Sequence, residues 1–189
     1  MERNDSVDNI TDDSTNEHRG VGSPALSLLK KIPLTKEYAP RIEWLWDHLK
    51  TQDYWFDDMM RGSSQAWLNR LTSPNSEHFE FGDDGYVMVD SIVPSINANI
   101  HFAVWGKPQP LAILAAGREL FEYLFTTYKL NRLTAMCPVN NQAAIRMAVM
   151  LRFRFEGELR RIFLFHGKYY NVSIYGLLRD EFHKREVVQ

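Results

Sequence analysis

A histidine and a carboxylate on successive β-rich runs are the first chemistry this sequence offers. In the run 99–105, alternation places His101 on one face with Asn99, Ala103 and Trp105. Asp90, in the preceding run 86–92, is the nearest carboxylate in register. Such a pair can take a proton and stabilise the result, which is the work of a general base. The same residues also read as a strand histidine with a satisfied partner and a solvated strand-end carboxylate. A second group, Tyr54-Trp55-Phe56-Asp57-Asp58, sets aromatic walls beside two carboxylates, a combination suited to a cationic amine. It fits an amphipathic helix with a core face and a wet face equally well. The histidines and Cys137 show no metal-ligand spacing, so no metal is expected. There is no phosphate-binding Gly-Lys-Ser/Thr loop and no dinucleotide fingerprint.

These residues must be positioned by a mixed set of elements. Residues 40–50 place Ile42, Leu45, Trp46 and Leu49 at helical spacing. Ser63 or Ser64 follows Gly62 and caps a short helix carrying Ala66, Trp67, Leu68 and Leu71. Two or three helices are therefore expected before any strand pairing. From His78 the period changes to two, and Phe79, the run 86–92 and the run 99–105 read as strands joined by hairpins. The strongest helix spans 111–128, with Leu114, Gly117, Phe121, Leu124 and Tyr128 on one face. A short strand over 133–137 follows, then a helix from Asn140 or Asn141 to about Leu151. Strands over 158–165 and 169–178 close the chain, joined by His166-Gly167-Lys168.

Composition narrows the class of protein. The 189 residues suit one domain, and 44% hydrophobic content is enough for a sizeable core. A formal charge of −2 argues against a nucleic-acid surface. No apolar run approaches the roughly 20 residues of a membrane-spanning helix. The single cysteine fits a reducing compartment, and the polar, acidic N-terminus carries no secretory or transit signal. A cytoplasmic protein is expected, with a disordered tail over 1–24 and one domain over 25–189.

Four segments in order, from residue 102 to 182, resemble the C-terminal half of a GNAT acetyltransferase. The first is the strand, turn and long helix of 101–125, ending Leu120-Phe121-Glu122-Tyr123-Leu124-Phe125. The second is Lys129-Leu130-Asn131-Arg132-Leu133-Thr134-Ala135, and the third is the helix opened by Asn141 and ending Leu151-Arg152-Phe153-Arg154-Phe155-Glu156-Gly157. The fourth is a closing hairpin that includes Asn171-Val172-Ser173-Ile174-Tyr175-Gly176. The resemblance runs nearest to members that acetylate ribosomal-protein N-termini and amino sugars. It implies an α+β fold: a mixed, mostly antiparallel sheet of six to seven strands, a splayed fourth and fifth strand, and helices on both faces.

The resemblance also implies roles. The pantetheine arm of acetyl-CoA fills the splay, and its pyrophosphate rests on the N-terminus of the following helix. Backbone N–H of Ala103 and Val104 would polarise the thioester carbonyl. Tyr175 could approach the thioester sulfur, and core packing is its other reading. Asn141 matches the Asn that contacts the pantetheine arm, and is also an N-cap. Residues 54–58 lie where relatives build the acceptor cleft. The phosphate turn departs from the Gln/Arg-x-x-Gly-x-Gly/Ala pattern. Pro108, Leu111 and Ile113 occupy its key positions, or Gln109 and Ala112 under a one-residue shift. Pro108 and Pro110 lack N–H donors, and Lys107 is the available point charge. No Tyr occurs on the helix after Asn141 to serve as a general acid.

Two functions follow from the resemblance. One is acetyl transfer from acetyl-CoA to an amine of a protein or small molecule. The other is a binding or assembly module on a decayed GNAT fold, of the kind expected of a phage-encoded or virion protein in the host cytoplasm. An active member using a different acyl-CoA is a third reading. A homodimer is compatible with all three.

Overall fold

In the computed structural model, residues 26–184 are described. The tail expected over 1–24 lies outside them. Among the described residues seven strands form one sheet in the order β1-β2-β3-β4-β5-β7-β6. The strands are β1 (Lys30–Lys31), β2 (Glu77–Phe81), β3 (Gly85–Val93), β4 (Asn97–Val104), β5 (Arg132–Pro138), β6 (Arg154–Phe165) and β7 (Lys168–Leu178). Five α-helices accompany them: α1 (Ala39–Leu49), α2 (Ser64–Leu71), α3 (Pro110–Thr127), α4 (Gln142–Met150) and α5 (Arg179–His183). All neighbours are antiparallel except β4 and β5. This is the expected α+β class.

Each helix starts where the local chemistry supplies a start. Pro40 occupies the first turn of α1, where its missing N–H costs nothing. Ser63 accepts the Ala66 N–H at 3.2 Å at the head of α2, and Asn141 accepts the Ala144 N–H at 3.1 Å at the head of α4. Both caps were legible as Ser or Asn ahead of an apolar run.

Two cores lie on opposite sheet faces. Tyr86, Met88 and Ala103 pack with Leu45 and Leu49 of α1, Trp67 and Leu71 of α2, and Phe56. Val87, Val89, Ala98, Ile100, Tyr175 and Leu177 pack with Leu120, Phe121, Leu124 and Phe125 of α3 and with Ala148 and Leu151. The alternation of β3 and β4 sends neighbours to different cores, which fixes register.

Three features depart from the sequence expectation. A two-residue strand, β1, precedes the helices and pairs with β2 through Lys30↔Glu80 and Lys31↔Phe79. Residues 51–62 form successive turns instead of a helix. Tyr54 there has φ +65°, a backbone that no right-handed helix contains. Finally, β6 begins at Arg154, four residues early, because β7 pairs with it through two register shifts.

Candidate functional site

The sheet forks between its two parallel strands. β4 and β5 pair only through Asn97↔Arg132, Ala98↔Leu133 and Asn99↔Thr134. Beyond Asn99 and Thr134 they separate, so β4 from Ile100 onward has no partner on its β5 side while β3 still pairs with its other edge. An unpaired backbone edge facing a gap needs a hydrogen-bonding partner.

His101 lies on this opened stretch, and its register partner is Met88, two residues before Asp90 on β3. His101 Nε2 stands 3.2 Å from Asp90 Oδ2. The nitrogen is buried and makes no aligned hydrogen bond, the carboxylate lying off the N–H axis. Burial alone would raise the Asp90 carboxyl, but contact with His101 and hydrogen bonds from Asn99 and Ser91 outweigh it and hold it at about 2. Arg70 of α2 adds a cation 4.0 Å from Asp90 Oδ2. Trp55 meets His101 edge-on at 6.2 Å between centroids.

Behind this pair lies a buried polar stack. Trp67 Nε1 donates to Tyr86 Oη at 3.3 Å, so the Tyr86 hydroxyl is left to donate to His78 Nδ1. His78 Nε2 then faces the Arg70 carbonyl at 3.1 Å. Desolvation pushes the His78 imidazolium down to about 4, so the ring is neutral.

The remaining sequence candidates are dispersed. Tyr175 points into the core on the α3 side, on the face opposite His101 and Asp90. Its expected approach to the sulfur therefore does not bring it to that pair; packing against Phe155 and the core is what it does here. Asp57 accepts the N–H of Met59 and Met60 within its own turn. Asp58 accepts the N–H of His166 at 2.9 Å and Gly167 at 2.7 Å, which ties the turn to the β6–β7 hairpin and lowers its carboxyl through those bonds. Tyr54 packs against Phe165 of the same hairpin in a tilted ring contact, 4.6 Å between centroids. Of the 54–58 group only Trp55 faces His101. Cys137 is buried, and desolvation raises its thiol to about 11, so no thiolate nucleophile forms.

Sequence reasoning missed the row that extends the site across the sheet. Asn97, Thr134, Arg132 and Glu156 continue the face of His101 and Asn99 toward β6. The Arg132–Glu156 pair crosses β7 above Gly176, where a Cβ would stand 2.2 Å from Glu156 Oε1. The alternating Asn97 and Asn99 were the visible signal; their alignment with Thr134 depends on the β4–β5 register. Among the described residues no group of His, Cys, Asp or Glu could hold a metal.

The acetyl-CoA implied by the resemblance fits part of this site. The open β4 edge, with Ala103 buried and Val104 half-buried, offers backbone to an amide-bearing arm. At the open end of the fork Asn140 Oδ1 is buried without a partner. The phosphate turn is poorer. Pro108 and Pro110 supply no N–H, and the Gln109 carbonyl takes those of Ala112 at 2.9 Å and Ile113 at 3.3 Å. That leaves the N–H groups of Gln109 and Leu111, the latter beneath a side chain that is 78% exposed, and the exposed Lys107. Asp84 adds a carboxylate against Gly106, where a Cβ would lie 1.8 Å from Oδ1.

No protein family and no curated protein matches the chain by sequence. Solved structures do match it in shape. A probable acetyltransferase superposes with a TM-score of 0.63 at 20% identity, over 81% of this chain and 94% of that one. A chimera of the spermidine N-acetyltransferase SpeG from Vibrio cholerae and hSSAT gives 0.63 at 20%, over 84% and 100%. RimL, a ribosomal L7/L12 α-N-protein acetyltransferase in complex with coenzyme A, gives 0.63 at 18%, over 84% and 98%. With its forked parallel pair, seven-strand order and flanking helices, this chain has the GNAT acetyltransferase fold.

Proposed function

We propose that the protein transfers an acetyl group from acetyl-CoA to an amine of a small molecule or a protein. The observation that carries this reading is the fork itself: the strand whose edge opens also bears His101, paired with Asp90. Acetyl-CoA supplies the acyl group as an activated thioester. The chain supplies an unpaired β4 edge to align it and a proton acceptor beside the gap. With Nε2 held against Asp90, Nδ1 is the nitrogen that no group among the described residues engages, and it takes the proton the amine loses as its N–C bond forms and the C–S bond breaks. The proton then leaves to solvent or to the departing thiolate.

Calorimetric titration with acetyl-CoA and with CoA, followed by thiol release against spermidine, an amino sugar and peptides with free N-termini, tests the reading. Micromolar binding and turnover that falls about 100-fold in His101→Gln support it. A folded protein that shows no heat up to millimolar acetyl-CoA and CoA would overturn it.

A further inference from the structure

From Arg132 to Asp90, the side chains that cross the fork form a hydrogen-bond chain in which every link donates the same way. Arg132 Nη2 donates to Glu156 Oε2 at 2.7 Å, and its Nε donates to Thr134 Oγ1 at 3.3 Å. Thr134 Oγ1 donates to Asn97 Oδ1 at 2.7 Å. Asn97 Nδ2 donates to Asn99 Oδ1 at 3.4 Å, and Asn99 Nδ2 donates to Asp90 Oδ1 at 3.1 Å. Asp90 presents its other oxygen to His101.

The two ends dictate this direction. Arginine only donates and a carboxylate only accepts. Asp90 can only accept, so the Asn99 NH₂ must face it and the Asn99 oxygen must receive the Asn97 NH₂. The Asn97 oxygen is then left for Thr134, whose hydroxyl donates to it while accepting from Arg132. Flipping either amide sets two donors or two acceptors against each other. A cation at one end and an anion at the other polarise each bond between them. Thr134 pairs with Asn99 at the last rung before β4 and β5 separate, so the chain crosses the sheet where it forks.

We infer that Thr134, Asn97 and Asn99 are positioning residues: they fix which oxygen of Asp90 faces His101 and hold the carboxylate there. The inference rests on the reading of His101 as proton acceptor, yet its geometry is measurable without turnover. Besides His101, the charged or titratable groups facing Asp90 are Arg70 of α2 and His78 of β2, neither of which belongs to the chain.

The test is side-chain NMR of the full-length protein at neutral pH without acetyl-CoA, in Thr134→Val and Thr134→Ser. In wild type the Asn99 Nδ2 protons are protected and the His101 Nε2 proton is visible. Thr134→Val, two links away from Asp90, is expected to speed exchange of the Asn99 protons about tenfold and to broaden the His101 signal. Thr134→Ser keeps a hydroxyl and restores both. Asn97→Leu, which keeps the side-chain volume, reproduces the Thr134→Val result and stands in if that variant fails to fold. In the transferase assay Thr134→Val lowers kcat about tenfold and leaves the KM for acetyl-CoA in place. Asn99 and His101 signals unchanged in folded Thr134→Val and Asn97→Leu overturn the inference. Signals that move in a protein with no turnover sustain the chain and remove the transferase reading instead.

Discussion

A Cβ placed on Gly85 would stand 2.8 Å from the carbonyl oxygen of Ala103, and that oxygen belongs to the backbone of the strand that opens at the fork. Neither group can step aside without shifting a strand, unlike the contact of Gly176 with the end of the Glu156 side chain. Gly85→Ala is therefore expected to destabilise the fold by about 1–3 kcal/mol. It should also move β4, so acetyl-CoA affinity should fall with stability. Urea unfolding and calorimetric titration of the same variant check the two effects together.

Acid should weaken the fold through His78. Its folded value of about 4 lies below the unfolded value near 6.5, so folding favours the neutral ring. The stability this gives is fully present above about pH 6.5 and is lost as pH falls from there toward 4, amounting to about 3 kcal/mol once both forms are charged. Glu80, whose carboxyl is raised by burial, works the other way as pH falls. Asp90, held near 2, adds acid sensitivity mainly below about pH 4. Urea midpoints at pH 7, 5.5 and 4.5 should drop steeply in wild type and less steeply in His78→Gln.

Asn141 can be separated into its two roles. Its side chain caps α4 through the Ala144 N–H. Asn141→Ala should cost about 1 kcal/mol, while Asn141→Ser keeps a capping oxygen and should recover most of it. If Asn141 also holds the pantetheine arm, Asn141→Ser will regain stability and still bind acetyl-CoA more weakly. Recovery of both properties would reduce Asn141 to a cap.

Asp58 is expected to act on the hairpin and not on acceptor choice. Its two oxygens take the N–H groups of His166 and Gly167, and its own N–H donates to the Leu164 carbonyl at 2.9 Å. Asp58→Ala should accelerate amide exchange at His166 and Gly167 while the ranking of amine acceptors stays as in wild type. A changed ranking with unchanged exchange would return Asp58 to the cleft.

Local chemistry was enough to read much of this protein. Helical spacing of Ile42, Leu45, Trp46 and Leu49, the caps at Ser63 and Asn141, and alternation through β3 and β4 are properties of neighbouring residues, so α1, α2, α4 and the pairing of Asp90 near His101 were legible. The prolines at 108 and 110 likewise announce a donor-poor turn. What escaped depends on groups far apart in the chain. β1 exists only because β2 offers its edge 48 residues later, at Lys31↔Phe79. Residues 54–58 also read as an amphipathic helix, yet Asp58 and Tyr54 are claimed by the distant β6–β7 hairpin, and those contacts override the local preference. Tyr175 sits one residue from the open face, and only the register of β5 with β7 decides that it points into the core. The chain from Arg132 to Asp90 is of the same kind: each link needs two strands at a definite offset, and offset is set by the packing of both sheet faces, which no window of sequence contains.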